Sequence, residues 1–332
     1  MIETLVMDAP LLLILWLANM AEDRRYPEVP HMGRGFAIAS YVILGLIHLL
    51  LLLAGLLMLV VAPFSAEASD FNFPLLVVGM CVPSFVGLLF FIPFVRRLLS
   101  RIIPIDPENP VHTVSLSLSM LILFNLLFTL GIGLENIAKL GEQAGNAAVS
   151  LSELWAQDIT WFLLSLIGVG WLSRRKWREA LSRLGVVRPS ARDIAFGLGI
   201  GLLLVVLAIG FEYGANFFGI SVDPEVEKVT EQFLGGLYQS IPGILTLGLA
   251  AAIGEETVFR GALQPRFGLL LTSLLFALLH SNYGFSLSTL IVFLVGLALG
   301  VVRLRFNTTT AMVVHATYNI TLGVIANVWP DL

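Results

Sequence analysis

Cysteine is almost absent from this chain of 332 residues: Cys81 stands alone, which excludes an intrachain disulfide and a Cys-x-x-Cys metal site and leaves an apolar, packed thiol. Charge is scarce as well. Only 13% of residues are charged while 57% are hydrophobic, and the strongly positive mean hydropathy excludes a soluble globule. The formal net charge of -4 says nothing about a soluble partner, because membrane topology distributes the basic residues of such a chain, and nucleic-acid binding has no support. No Ser occurs in a Gly-x-Ser-x-Gly context, no His-Glu-x-x-His is present, and no basic stretch precedes the first apolar run as it would in a cleavable signal peptide.

What is present is a series of apolar stretches of bilayer length, near 4–21, 36–62, 74–95, 114–134, 156–173, 193–215, 240–260, 267–280, 286–305 and 309–328. They predict an all-α, polytopic transmembrane helical bundle of about nine to ten membrane helices, with the first stretch the weakest because it carries Glu3 and Asp8. The basic residues agree. With the N-terminus outside, Arg24, Arg25 and Arg34, then Arg96, Arg97 and Arg101, the run from Arg174 to Arg192, Arg260 with Arg266, and Arg303 with Arg305 all fall on the cytoplasmic side. Lys139 and Lys228 fall outside, in acidic or neutral connections, and both termini are expected outside. The expected location is therefore an integral one, in a prokaryotic cytoplasmic membrane, with the lipid bilayer as constant partner.

The basic stretch between Arg174 and Arg192 divides the chain into an N-terminal transmembrane module of unknown role, 1–190, and a core, 191–332, that holds the buried polar residues. In the first unit His48 and Asn125 stand among apolar neighbours and read as helix–helix hydrogen bonds or snorkelling positions rather than catalytic groups. The Gly197-x-x-x-Gly201 and Gly296-x-x-x-Gly300 pairs read as close-packing faces. Residues 219–238 alternate charged and apolar residues, the pattern of a short amphipathic helix that serves as connector or as lid over a cavity. His31 and His112 read as solvated, and Trp16, Trp155, Trp171 and Trp329 as interfacial anchors.

Against this background, Gly254-Glu255-Glu256-Thr257-Val258-Phe259-Arg260 is an energetic anomaly. An ionisable group at bilayer depth costs roughly 2.5 to 3.5 kcal/mol, so three of them require partners, a wet cavity or a function. Glu256 and Arg260 are four apart and can pair on one helix face. Glu255 is rotated from Glu256 by about 100° and escapes that pair. Two later stretches carry polar groups at the same spacing, Phe276 with His280 and His315 with Asn319. A carboxylate, two imidazoles and an amide on three helices suit hydrolysis of a peptide bond: Glu255 with His280 to activate water, His315 and Asn319 to stabilise the oxyanion, Glu256 and Arg260 to brace the first helix. A second chemistry stays open, in which Glu255, His280 and His315 hold a divalent metal such as zinc.

In order, Glu255-Glu256-x-x-x-Arg260, Phe276-x-x-x-His280 and His315-x-x-x-Asn319 resemble the three-motif signature of the CPBP family, the CAAX-protease and bacteriocin-processing (ABI, Rce1-like) intramembrane proteases. The resemblance covers roughly 190–328. It implies that Glu255 is the catalytic carboxylate, His280 its water-activating partner and His315 with Asn319 the oxyanion side, acting on a membrane-associated or lipidated peptide or protein substrate; it does not decide the metal. A non-catalytic scaffold of the same fold and a proton-coupled secondary transporter are the readings from other classes. One geometric demand follows: a straight helix from Phe267 would carry His280 too near the outer surface, so that helix must start deeper or break, with the turn Ser281-Asn282-Tyr283-Gly284 lining a cavity.

Overall fold

A computed structural model describes residues 2–22, 30–61, 71–143, 149–221 and 223–329; Arg24 and Arg25 and the outer connection 65–70 lie outside them. Every described element is helical. The N-terminal helices are α1 (Ile2–Ala21), α2 (Pro30–Val61), α3 (Phe73–Leu89), α4 (Pro93–Leu99), α5 (Pro110–Ile132), α6 (Leu134–Gln143), α7 (Leu151–Gly168) and α8 (Trp177–Leu184). They are followed by α9 (Ala191–Phe217), α10 (Pro224–Tyr238), α11 (Ile241–Glu256), α12 (Gln264–Leu279), α13 (Leu287–Arg305) and α14 (Thr308–Val328).

Local chemistry sets most of the helix starts. Asn72, Asn109, Asp223, Ser240 and Asn307 each accept a backbone N–H of the first turn, and Ser150 with Glu153 and Ser190 with Asp193 form reciprocal capping boxes. Six helical stretches are long and apolar enough to cross a membrane among the described residues, seven if α3 and α4, bent by 92° at their junction, count as one. α1 is a shorter apolar helix. Leu50, Val60, Leu203, Val206, Phe217 and Leu270 stand exposed on the outside of the bundle, a distribution that water would not tolerate and lipid would. The chain is an all-α integral membrane protein.

Two of the expected stretches, 240–260 and 267–280, run on as near-continuous helix from Ile241 to Leu279, through a π-helical turn, Thr257–Leu263. The run is not straight. Phe259 and Phe276 lie 17 positions apart, about 25 Å along an ideal helix, yet their ring centroids are 5.3 Å apart. The chain therefore doubles back, and the reversal contains Gly268, whose φ of 78° and ψ of 171° lie outside the helical region and suit glycine alone. A break is thus present at Gly268, next to Phe267 where the stretch was expected to begin.

The remaining contacts bring the polar helices together. Gly197 and Gly201 of α9 pack on Val313 and Thr317 of α14, while Gly296 and Gly300 of α13 pack on Phe276 and Leu269 of α12, as their spacing predicts. His48 hydrogen-bonds the Ser117 carbonyl at 3.2 Å and Asn125 donates to Ser281 at 2.9 Å, so both are interhelical. At one end of the bundle, α10 forms the expected amphipathic helix and buries Val226 and Val229 against Leu134 and Ala138 of α6, with Tyr283 packed beneath.

Candidate active site

α11 ends in the anomaly. Glu256 is fully buried and its Oε1 serves two cations or donors: Arg260 Nη1 at 3.1 Å, as the spacing predicts, and His315 Nδ1 at 2.9 Å, a bond across helices that the spacing could not reveal. Arg260, 1% exposed, also donates from Nη2 to the Gly296 carbonyl at 3.2 Å and lies over the Phe276 ring at 4.1 Å. That arrangement surrounds a buried guanidinium with a carboxylate, a carbonyl and a π face, which is how such a charge becomes tolerable in an apolar interior. The π-helical turn that carries Arg260 starts where Thr257 Oγ1 donates back to the carbonyls of Ile253 and Gly254, both at 2.9 Å.

Glu255 points elsewhere. Its Oε2 has no hydrogen-bond partner and lies 3.9 Å from His315 Nε2. Because the carboxylate of Glu256 can only accept, His315 donates to it from Nδ1 and turns Nε2 toward Glu255. His280 follows the same logic. Its Nδ1 lies 3.0 Å from the Phe276 carbonyl, which fixes Nδ1 as donor and leaves Nε2 as the lone-pair side of the neutral ring. The ring stacks on Tyr283 with centroids 5.6 Å apart, and both follow the end of α12, whose last turn stops at Leu279.

Glu255, His280, His315 and Asn319 all line one cavity of about 270 Å³, so the three motifs converge as the sequence led one to expect. Asn319 donates from Nδ2 to the Leu247 carbonyl at 3.3 Å, which holds its amide against α11. Tyr283 lines the same space, placing the polar turn after His280 at the cavity wall; Leu234 and Tyr238 of α10 line it too. The amphipathic helix therefore covers the cavity as well as connecting.

Sequence reasoning passed over one charged group. Asp158 of α7, only 3% exposed, lines this cavity beside Leu154 and Gln157, although it belongs to the first 190 residues, where only His48 and Asn125 had been singled out. The signal was available: an acidic residue within the apolar stretch 156–173 raises the same energetic objection as Glu255.

The donor set does not close around a metal. Among the described residues, no three His, Cys, Asp or Glu side chains gather at a spacing that could hold an ion.

Residues 237–321, which include every residue of the three motifs, match the family model of type II CAAX prenyl endopeptidase Rce1-like proteins. The resemblance read from the motifs is thereby borne out: this region is similar to the Rce1-like proteins. A segment of 64 residues, 18% of the chain, is 47% identical to the uncharacterized protein YpbD of Bacillus subtilis (strain 168), covering 34% of it. A longer segment of 145 residues, 40% of the chain, is 35% identical to an uncharacterized 24.3 kDa protein of Escherichia coli, covering 62% of that. The chain thus spans about a third and about three-fifths of these two relatives. No solved structure matches it significantly.

Proposed function

We propose that this integral membrane protein, whose residues 237–321 are Rce1-like, is an intramembrane endopeptidase that hydrolyses a peptide bond of a membrane-associated or lipidated substrate by activating water. One observation carries the reading: Glu255 holds an unpartnered carboxylate oxygen in the same cavity as the lone-pair side of His280 and the side chains of His315 and Asn319.

In this mechanism Glu255, assisted by His280 Nε2, removes a proton from a water that attacks the scissile carbonyl. His315 faces the negative charge that develops on the carbonyl oxygen, and the second N–H of Asn319 adds a donor on the same helix. Glu256 supports the step indirectly. It keeps His315 oriented, while Arg260 balances the charge of Glu256. The steps need no metal, and none is routed through one. The basic connections are assigned to the cytoplasmic face and both ends to the other, which brings a substrate to the cavity from within the bilayer or from the side covered by α10. Residues 1–190 are assigned as a module that packs around the Rce1-like core and completes the cavity wall through α7.

The test is to purify the Glu255→Gln chain from native membranes and identify captured peptides by mass spectrometry. A membrane-associated polypeptide enriched over wild type, and cleaved by wild type when supplied again, is the expected result. Proton-coupled uptake by the wild-type chain in liposomes, with no captured peptide, would replace the peptidase with the transporter.

A further inference from the structure

Among the described residues, Asp158 is the one carboxyl group on this cavity that the three motifs leave without a task. Its carboxyl is buried, and Oδ1 has no hydrogen-bond partner. Its placement is not incidental to the site. A Cβ added at Gly254, the residue before Glu255, would lie 2.4 Å from Asp158 Oδ1 and 2.8 Å from its Cα, so α7 is pressed against α11 at the turn that presents Glu255. Only glycine permits that approach. Asp158, Glu255 and His315 all line the same cavity.

Two carboxyl groups on one buried cavity repel each other when both are charged, so they suit opposite tasks, one as base and one as acid. Glu255 faces His315 and is the base of the proposed mechanism, so the acid task falls to Asp158. Hydrolysis of an amide needs a second proton transfer, to the leaving nitrogen, and a second carboxyl group on the cavity can make it without waiting for Glu255 to move from water to nitrogen.

We propose that Asp158 is a further catalytic residue of this cavity, the acid that protonates the leaving amine. The reaction balances. Water forms the new C–O bond and gives one proton to Glu255; the C–N bond breaks as the Asp158 proton passes to nitrogen; the proton held by Glu255 then returns to Asp158, and the products are a carboxyl group and an amine. The assignment rests on the peptidase reading and deepens it.

A leaving-group comparison tests it. The probe is the peptide captured by the Glu255→Gln chain, synthesised once as that amide and once with its acyl half as a p-nitrophenyl ester, whose leaving group needs no proton. Full-length Asp158→Asn chain in nanodiscs is expected to lose about 100-fold or more of kcat on the amide, with KM little changed, and less than about threefold on the ester. Equal losses on both probes, or none on either, overturn the role of Asp158 while leaving the peptidase intact. A wild-type chain that cleaves neither probe sinks the peptidase and this role with it. Should Asp158→Asn fail to insert, Gly254→Ala carries the comparison, since it keeps both carboxyls but forces Asp158 away; an amide-selective loss supports the role and an equal loss overturns it.

Discussion

Glu256 Oε1 lies 2.9 Å from His315 Nδ1, and this bond ties the end of α11 to the middle of α14 in the fully buried interior. It separates the two adjacent glutamates by task. Each keeps an Oε2 without a hydrogen-bond partner, but Glu256 is tied through Oε1 to His315 and Arg260, while Glu255 lines the cavity.

That separation predicts opposite stability effects for two nearly identical substitutions. Glu256→Gln leaves Arg260 as a buried cation without its carboxylate and should cost about 3–5 kcal/mol, whereas Glu255→Gln should unfold close to wild type. Both should abolish hydrolysis. Thermal unfolding in detergent, run beside the peptide assay, distinguishes them, and equal melting temperatures would contradict the division of labour.

His280 presents Nε2 to the cavity because the Phe276 carbonyl holds Nδ1. His280→Ala should lower kcat by about 100- to 10,000-fold, a loss larger than any drop in stability from its lost contacts with Phe276 and Tyr283 explains, since the side chain assists proton transfer. A loss confined to KM would instead mark His280 as a substrate-binding group.

Close packing at Gly248 sets the distance between α11 and α14. A Cβ there would meet Ile320 Cγ1 at 2.4 Å and the Ala316 carbonyl at 3.0 Å. Gly248→Ala should destabilise by about 1–3 kcal/mol and, by pushing His315 away from Glu256, depress kcat more than a substitution of equal cost on the lipid-facing side. Unfolding and turnover measured together on Gly248→Ala and on Leu203→Ala check this; equal turnover in the two would refute it.

Activity should survive metal removal. Dialysis against a chelator followed by elemental analysis is expected to leave turnover unchanged, because the described His and carboxylate side chains form no three-ligand group. Loss of activity that zinc restores would return Glu255, His280 and His315 to the role of ligands.

Much of the fold was legible from hydropathy because lipid requires each spanning segment to satisfy its own backbone and cover itself with apolar side chains, and both demands are written locally. The depth of His280 called for a helix that starts deeper or breaks, but the position of the break, at Gly268, came from the structure. The site was legible as far as helix periodicity reaches: Glu256 with Arg260 four residues on, and the departure of Glu255 from that pair. Asp158 escaped notice because Glu255 is 97 positions away and the two share a cavity only through the packing of α7 on α11 at Gly254.

By itself the sequence determined that this protein is a helical membrane bundle, that three polar helix faces needed a common interior, and that Glu256 and Arg260 would satisfy each other, since each depends on composition or on spacing along one helix. Only the tertiary structure decided that Glu256 also holds His315, that the Phe276 carbonyl turns His280 Nε2 inward, and that Asp158 joins Glu255 at the cavity. Those relations depend on which helices touch and on where glycines let their backbones approach, which no single-helix period records.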